Sequence, residues 1–143
     1  MKHSVIHVYT DGGARGNPGP SAIGVVLCDA KDTILLEHRE YLGETTNNVA
    51  EYTALIRALE IAKDFTTGEV VCTSDSELLV KQLHGEYAVK AEHLRPLFNQ
   101  IQELKRPFKT VRVLHTRRDH RMIKHADSIV NEVLDAVARR ETR

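Results

Sequence analysis

The chain has 143 residues, enough for one domain with one sizeable core. Its 20 Lys and Arg balance 20 Asp and Glu, so no global field draws it to nucleic acid and any such binding must use local charge. Hydrophobic residues at 41% and charged residues at 28% are ordinary for a soluble globular protein, and no apolar run reaches the length of a membrane span.

Residues 5–10, VIHVYT, are apolar and β-branched on both faces and predict a central strand. Residues 11–20, DGGARGNPGP, read as a Gly/Pro-rich loop. Two more strands are predicted over 22–27 and 33–42, joined by the polar hairpin connection Asp29-Ala30-Lys31-Asp32. The first three strands should therefore form an antiparallel meander. After a polar turn at 43–47, residues 48–63 have helical periodicity, with Leu55, Ala58, Leu59 and Ala62 on one face. A short strand over 69–73 precedes a short helix over 76–83, which His84-Gly85 stops. A further helix is predicted over 91–104 and a last strand over 110–115. A very basic loop, 117–124, leads into a C-terminal helix over 123–139 with Val130, Val133, Leu134 and Val137 inward.

The order βββαβααβα implies an α/β fold. The two late strands alternate with helices, so they should run parallel to the first strand through right-handed crossovers. The expected result is a mixed five-stranded sheet flanked by helices, one domain over 1–143, without repeats or low-complexity stretches. Cys28 and Cys72 each lie in or beside an apolar run and read as buried, reduced thiols. The strand-like start lacks a signal-peptide layout, and a cytoplasmic location is expected.

Four carboxylates stand in places that need explaining. Asp11 follows the first strand and Asp75 the fourth, and ligands of open α/β sheets bind beyond the carboxyl ends of strands. For either acid alone, a turn or helix-cap role is the simpler account. Glu51 is three, four, seven and eleven residues from Ala54, Leu55, Ala58 and Ala62, which puts it on the apolar stripe. Asp127 repeats that pattern against Ile123, Val130, Leu134 and Val137. Such an acid could be a helix-dipole partner or an edge residue. A buried, unpaired carboxylate, however, costs several kcal/mol or neutralises. Two inward acids beside two strand-end acids therefore point to a cation that neutralises all four. An all-carboxylate oxygen site favours Mg²⁺ or Mn²⁺ over zinc. Two such ions about 3.5–4 Å apart can clamp the attacking and leaving oxygens of a phosphodiester. His115, His120 and His125 recur at five-residue spacing, which fits no zinc pattern.

At these residues the chain resembles type 1 ribonuclease H over nearly its whole length. The resemblance rests on YTDGGARGNPGP, TTNNVAEYTALIRAL, TSDSELLV and KHADSIVNE, four segments in order, each bearing one acid. It implies hydrolysis of the RNA strand of RNA–DNA hybrids with two Mg²⁺ ions, or Mn²⁺. Asp11, Glu51, Asp75 and Asp127 would be both metal ligands and catalytic residues. It implies hybrid contacts by Gly12, Gly13, Asn17, Thr46, Asn47, Asn48 and Ser76. Glycines let backbone approach the RNA strand, and amides can meet 2′-hydroxyls and base edges. The same loops are also plain turn chemistry.

Two departures stand out. Many family members carry a basic, tryptophan-bearing protrusion; here that stretch is only 85–92 and the chain has no Trp. Many place a Gly-His pair about ten residues before the last acid; here position 117 is Arg and the loop reads RRDHRMIKH. His120 is then a candidate proton carrier, and Arg117 or Arg118 a candidate for stabilising phosphate charge. The equally simple account of His120 is a solvated loop residue. A DNA-processing nuclease of the same fold, or a silent nucleic-acid-binding domain, are the alternatives. The first usually brings extra DNA-binding domains or another acid pattern, and the second a missing carboxylate. No membrane and no obligate protein partner is expected.

Overall fold

The computed structural model describes residues 2–141. Strands β1 (Val5–Ala14), β2 (Gly19–Cys28), β3 (Ile34–Thr45), β4 (Glu69–Ser74) and β5 (Thr110–His115) form one mixed sheet in the order β3-β2-β1-β4-β5. The helices are α1 (Asn47–Ala62), α2 (Glu77–Leu83), α3 (Arg95–Leu104) and α4 (Arg121–Glu141). The first three strands are an antiparallel meander, and β4 and β5 run parallel to β1, as the order of elements predicts.

Boundaries differ where pairing overrides local composition. β1 runs on to Ala14, because Asp11, Gly12, Gly13 and Ala14 ladder against Gly24, Ile23, Ala22 and Ser21 of β2. The expected Gly/Pro loop shrinks to 15–18. β3 likewise continues to Thr45, past a register shift where Gly43 takes a left-handed φ of 77°. The helix expected from residue 91 opens as a 3₁₀ turn, Glu92–Leu94, and becomes α-helical with Pro96 in its first turn. α4 starts at Arg121, so Arg121 and Lys124 belong to the helix and not to the basic loop. In the stretch 85–92, where the resemblance leads one to look for a protrusion, only Glu92 is helical, opening the 3₁₀ turn.

The pleat sends alternate residues to opposite faces. Ile6, Val8, Val25, Leu27, Val70 and Cys72 face the layer of α1, α2 and α3 and meet Leu55, Leu59, Leu79 and Ile101. Tyr9, Val26 and Cys28 face the other way, against Met122, Ile123, Ala126 and Ile129 of α4. Each such large side chain contributes about 1.5–3 kcal/mol by leaving water, which fixes both helix layers on the sheet. Cys28 and Cys72 are buried and unbridged, as expected. Among the described residues no helix is long and apolar enough to cross a membrane.

The parallel ladder of β1 and β4 ends at Tyr9↔Thr73. Two residues further along each chain stand Asp11 and Asp75. Asp75 thus lies beyond its strand, as expected. Asp11 lies within β1, yet beyond the part of β1 that pairs with β4.

Candidate active site

Each acid is positioned by a different device. Asp11 is 7% exposed and sits opposite Gly24 in the β1–β2 ladder. Asp75 follows β4, just before Ser76, whose Oγ accepts from the Leu79 N–H at 3.2 Å and caps α2. The Asp75 side chain is 8% exposed. Glu51 arrives on α1, and Gly12 explains how it comes so near. A Cβ on Gly12 would lie 2.4 Å from the Ala50 carbonyl carbon, so only glycine lets the first turns of α1 rest directly on β1. At that seat the Gly12 N–H donates to Glu51 Oε1 at 2.8 Å. This is a different reason for Gly12 than the RNA contact the resemblance implies. Gly13 borders the crevice described below.

The entry to α1 is locked by polar side chains. Thr46 is its N-cap, with Oγ1 accepting from the Val49 N–H at 3.2 Å. The Asn47 N–H donates to Asn17 Oδ1 at 3.0 Å, and Asn47 Oδ1 accepts from the Ala14 N–H at 2.8 Å. Asn17, Asn47 and Asn48 are all exposed. The turn chemistry and the availability of the amides therefore coexist.

The result is a cluster in which one carboxylate oxygen each of Asp11, Glu51 and Asp75 lie within 4.8 Å of one another. Burial, then the charge of Asp75, then a side-chain hydrogen bond with Asp127 and its charge, push the Asp11 carboxyl up to about 8, against the pull of Arg118. Burial, then the charges of Asp11 and Asp75, hold Glu51 well above the usual carboxylate range, although the Gly12 N–H opposes the shift. With Asp11 and Glu51 both raised beside Asp75, the three carboxyls form an all-oxygen donor set short of positive charge. That fits a hard divalent cation.

Asp127 corrects the sequence reading. It is exposed, on the flank of α4 and not on its buried stripe of Met122, Ile123, Ala126, Ile129, Val130 and Leu134. No burial cost attaches to it, so it gives no separate argument for a cation. It nonetheless borders the same crevice as the other three acids, a cleft of about 490 Å³ walled also by Asn47, Arg118 and Val130.

The basic loop sorts into three different residues. Arg118 Nε stands 3.4 Å from Asp75 Oδ2 with its side chain 91% exposed, so one end of the loop reaches the acids. Arg117 instead faces Asp119, at 3.7 Å, in the open. His120 is half-buried, and its Nδ1 accepts from the Met122 N–H at 3.1 Å, capping α4. Its ring stacks on Tyr9 with centroids 5.4 Å apart. His120 is therefore neither a solvated loop residue nor among the residues that wall the crevice.

Two polar residues of the crevice are not among the site residues expected from the sequence. Arg15 pairs with Asp135 at 2.7 Å, and Asn131 donates from Nδ2 to Asp127 Oδ2 at 3.3 Å. The signal for Asn131 was present, since four residues after Asp127 is one helical turn. Arg15 gave no signal, because its place depends on the β1–β2 ladder.

Comparison with known proteins bears on this geometry. A reverse transcriptase-like family model matches residues 9–133. The chain is 40% identical over 130 residues to ribonuclease HI of Halobacterium salinarum, covering 91% of this chain and 64% of that protein. The chain thus spans less than two thirds of that curated relative's length. It is 35% identical over 146 residues to ribonuclease H of Halorhodospira halophila, covering 96% of this chain and 92% of the other. Among solved structures, a compost-derived ribonuclease H1 in complex with RNA/DNA hybrid is 46% identical, with a TM-score of 0.87 over 93% of this chain and 99% of its own. Sequence identity and the shared fold agree: the chain belongs to the type 1 ribonuclease H family.

Proposed function

We propose that the chain is an endoribonuclease that hydrolyses the RNA strand of RNA–DNA hybrids. One observation carries this reading. Three separate elements deliver Asp11, Glu51 and Asp75 to one point with their oxygens within 4.8 Å of one another, in a crevice that also meets Asp127. Asp11, Glu51 and Asp75, with Asp127 across the crevice, would hold two Mg²⁺ ions, or Mn²⁺. When bound, these ions supply the Lewis acidity for an in-line displacement at phosphorus. The compost-derived relative's complex with RNA/DNA hybrid supports the choice of substrate.

The chain's own residues supply the rest. Buried Asp11 and Glu51 hold their positions before substrate arrives, because strand pairing and the Gly12 N–H fix them. Arg118, exposed and 3.4 Å from Asp75, can turn its guanidinium to the phosphate of a bound strand and oppose the charge that develops there. Gly13 and the exposed amides of Asn17, Asn47 and Asn48 meet the minor groove, where an amide both donates to and accepts from a 2′-hydroxyl. Thr46 and Ser76 act through the helix ends they cap. Buried reduced thiols at Cys28 and Cys72 fit a reducing compartment, so we place the protein in the cytoplasm.

The test is cleavage of strand-labelled hybrid, RNA duplex and DNA duplex with Mg²⁺, Mn²⁺ or EDTA. The RNA of the hybrid should be cut, its DNA left intact, and EDTA should abolish the activity. Equal cutting of DNA duplex would contradict the reading and favour a DNA-processing nuclease.

A further inference from the structure

Asp127 differs from the other three acids in its exposure, and it meets the buried set through a side-chain hydrogen bond with Asp11. It is exposed and projects from a helix flank, where its carboxylate could adopt several rotamers. Besides Asp11, a second side chain limits that freedom, from Asp127's own helix. Asn131, one turn further along α4, donates from Nδ2 to Asp127 Oδ2 at 3.3 Å.

Asn131 is itself oriented from the far side. Arg15 Nη2 lies 3.5 Å from Asn131 Oδ1 and 3.5 Å from the Asn131 carbonyl oxygen. The same nitrogen pairs with Asp135 Oδ1 at 2.7 Å. Amide chemistry then leaves one arrangement. A guanidinium only donates and a carboxylate only accepts, so the Asn131 oxygen must face Arg15 and its NH₂ must face Asp127. Arg15 comes from the end of the β1–β2 ladder, next to Ala14, whose N–H is bonded to Asn47 at the head of α1. The contact therefore ties the flank of α4 to the strand that carries Asp11.

We infer that Asn131, oriented by Arg15, is a positioning residue that aims the Asp127 carboxylate across the crevice at Asp11, Glu51 and Asp75. The inference rests on the reading of Asp127 as a fourth cation ligand. Residues that orient ligands are worth about 10–100-fold in metal affinity or activity when removed.

The experiment measures Mg²⁺ and Mn²⁺ binding by titration calorimetry, with kcat and KM on hybrid, for Asn131→Ala, Asn131→Asp, Asp127→Asn and the double variant Asn131→Ala/Asp127→Asn. Asn131→Ala should weaken cation binding about 10-fold and lower kcat, with KM for hybrid and Tm unchanged. Asn131→Asp should not rescue it, because the Nδ2 donor is gone. Once Asp127 is Asn, removing Asn131 should have little further effect, because the two act as one unit. Fully additive losses, or a rise in KM alone, would overturn the inference and make Asn131 a direct contact of the hybrid. If Asp127→Asn binds cation and turns over like the parent while Asn131→Ala does not, the four-carboxylate reading fails, and the positioning role fails with it.

Discussion

Glu51 and Asp127 occupy matching places in the fold and experience opposite surroundings. Each stands in the opening turns of a helix that lies on the central strands, one from each face of the sheet. Each helix has a glycine seat: a Cβ on Gly12 would lie 2.4 Å from the Ala50 carbonyl carbon, and one on Gly24 2.5 Å from the Ala126 carbonyl oxygen. Yet Glu51 is turned inward onto a backbone N–H and held well above the usual carboxylate range by burial. Asp127 lies on a flank in solvent, steadied by a side-chain amide. Position near a helix start did not decide their chemistry; orientation toward the sheet did. Three acids are thus assembled in advance against their own repulsion, and the fourth is held by a softer contact.

The largest effects should separate these two classes of acid. Asp11→Asn, Glu51→Gln and Asp75→Asn should each lower kcat on hybrid by at least about 10²-fold, because each removes a ligand worth several kcal/mol of charge stabilisation. Asp127→Asn should lose less, and an equal loss would break the comparison. Next comes Arg118→Ala, expected to lower kcat by about 10- to 100-fold through one charge-assisted contact, equally at all pH values near neutral because a guanidinium does not titrate there.

The glycine seats come third. Gly12→Ala and Gly24→Ala should each lower stability by about 1–3 kcal/mol in denaturant unfolding, since a backbone and not a flexible side chain occupies the space. Only Gly12→Ala should also disturb cation binding by the inner three acids. The smallest effect belongs to His120→Ala. It removes a helix cap and should lower stability by about 1 kcal/mol, while the pH–rate profile keeps its shape. A flattened profile near neutrality would restore His120 as a proton carrier.

Much of this site was legible in the sequence, for identifiable reasons. Glu51 was found because an acid in a stripe of Ala54, Leu55 and Ala58 conflicts with burial, and the structure holds it there. Asp75 was found because four apolar or β-branched residues precede it in β4. The same reasoning placed Asp127 too far inward. Spacing from Ile123, Val130 and Leu134 cannot distinguish the centre of a stripe from its edge, and Ala126 and Ile129 set the centre elsewhere. Asp11 read as a loop residue because its neighbours are glycines. The ladder to Gly24 is a non-local pairing that composition does not encode. The contacts of Arg15 and His120 were illegible for the same reason: they depend on partners 120 and 111 positions away in sequence, Asp135 and Tyr9.

The most direct test of the central claim is the melting temperature of the metal-free protein against pH, with and without Mg²⁺. The Asp11 carboxyl is raised from an ordinary 3.8 to about 8 in the folded chain. The folded state therefore holds a proton that the unfolded chain has lost. That contribution to stability is fully present below about pH 4 and fades as pH rises toward about 8. In EDTA the parent's Tm should fall across this window relative to Asp11→Asn, and Mg²⁺ should restore the parent and not the variant. If parent and variant instead track one another from pH 4 to pH 9, and Mg²⁺ moves neither, the three carboxylates are not a repelling cluster that awaits a cation.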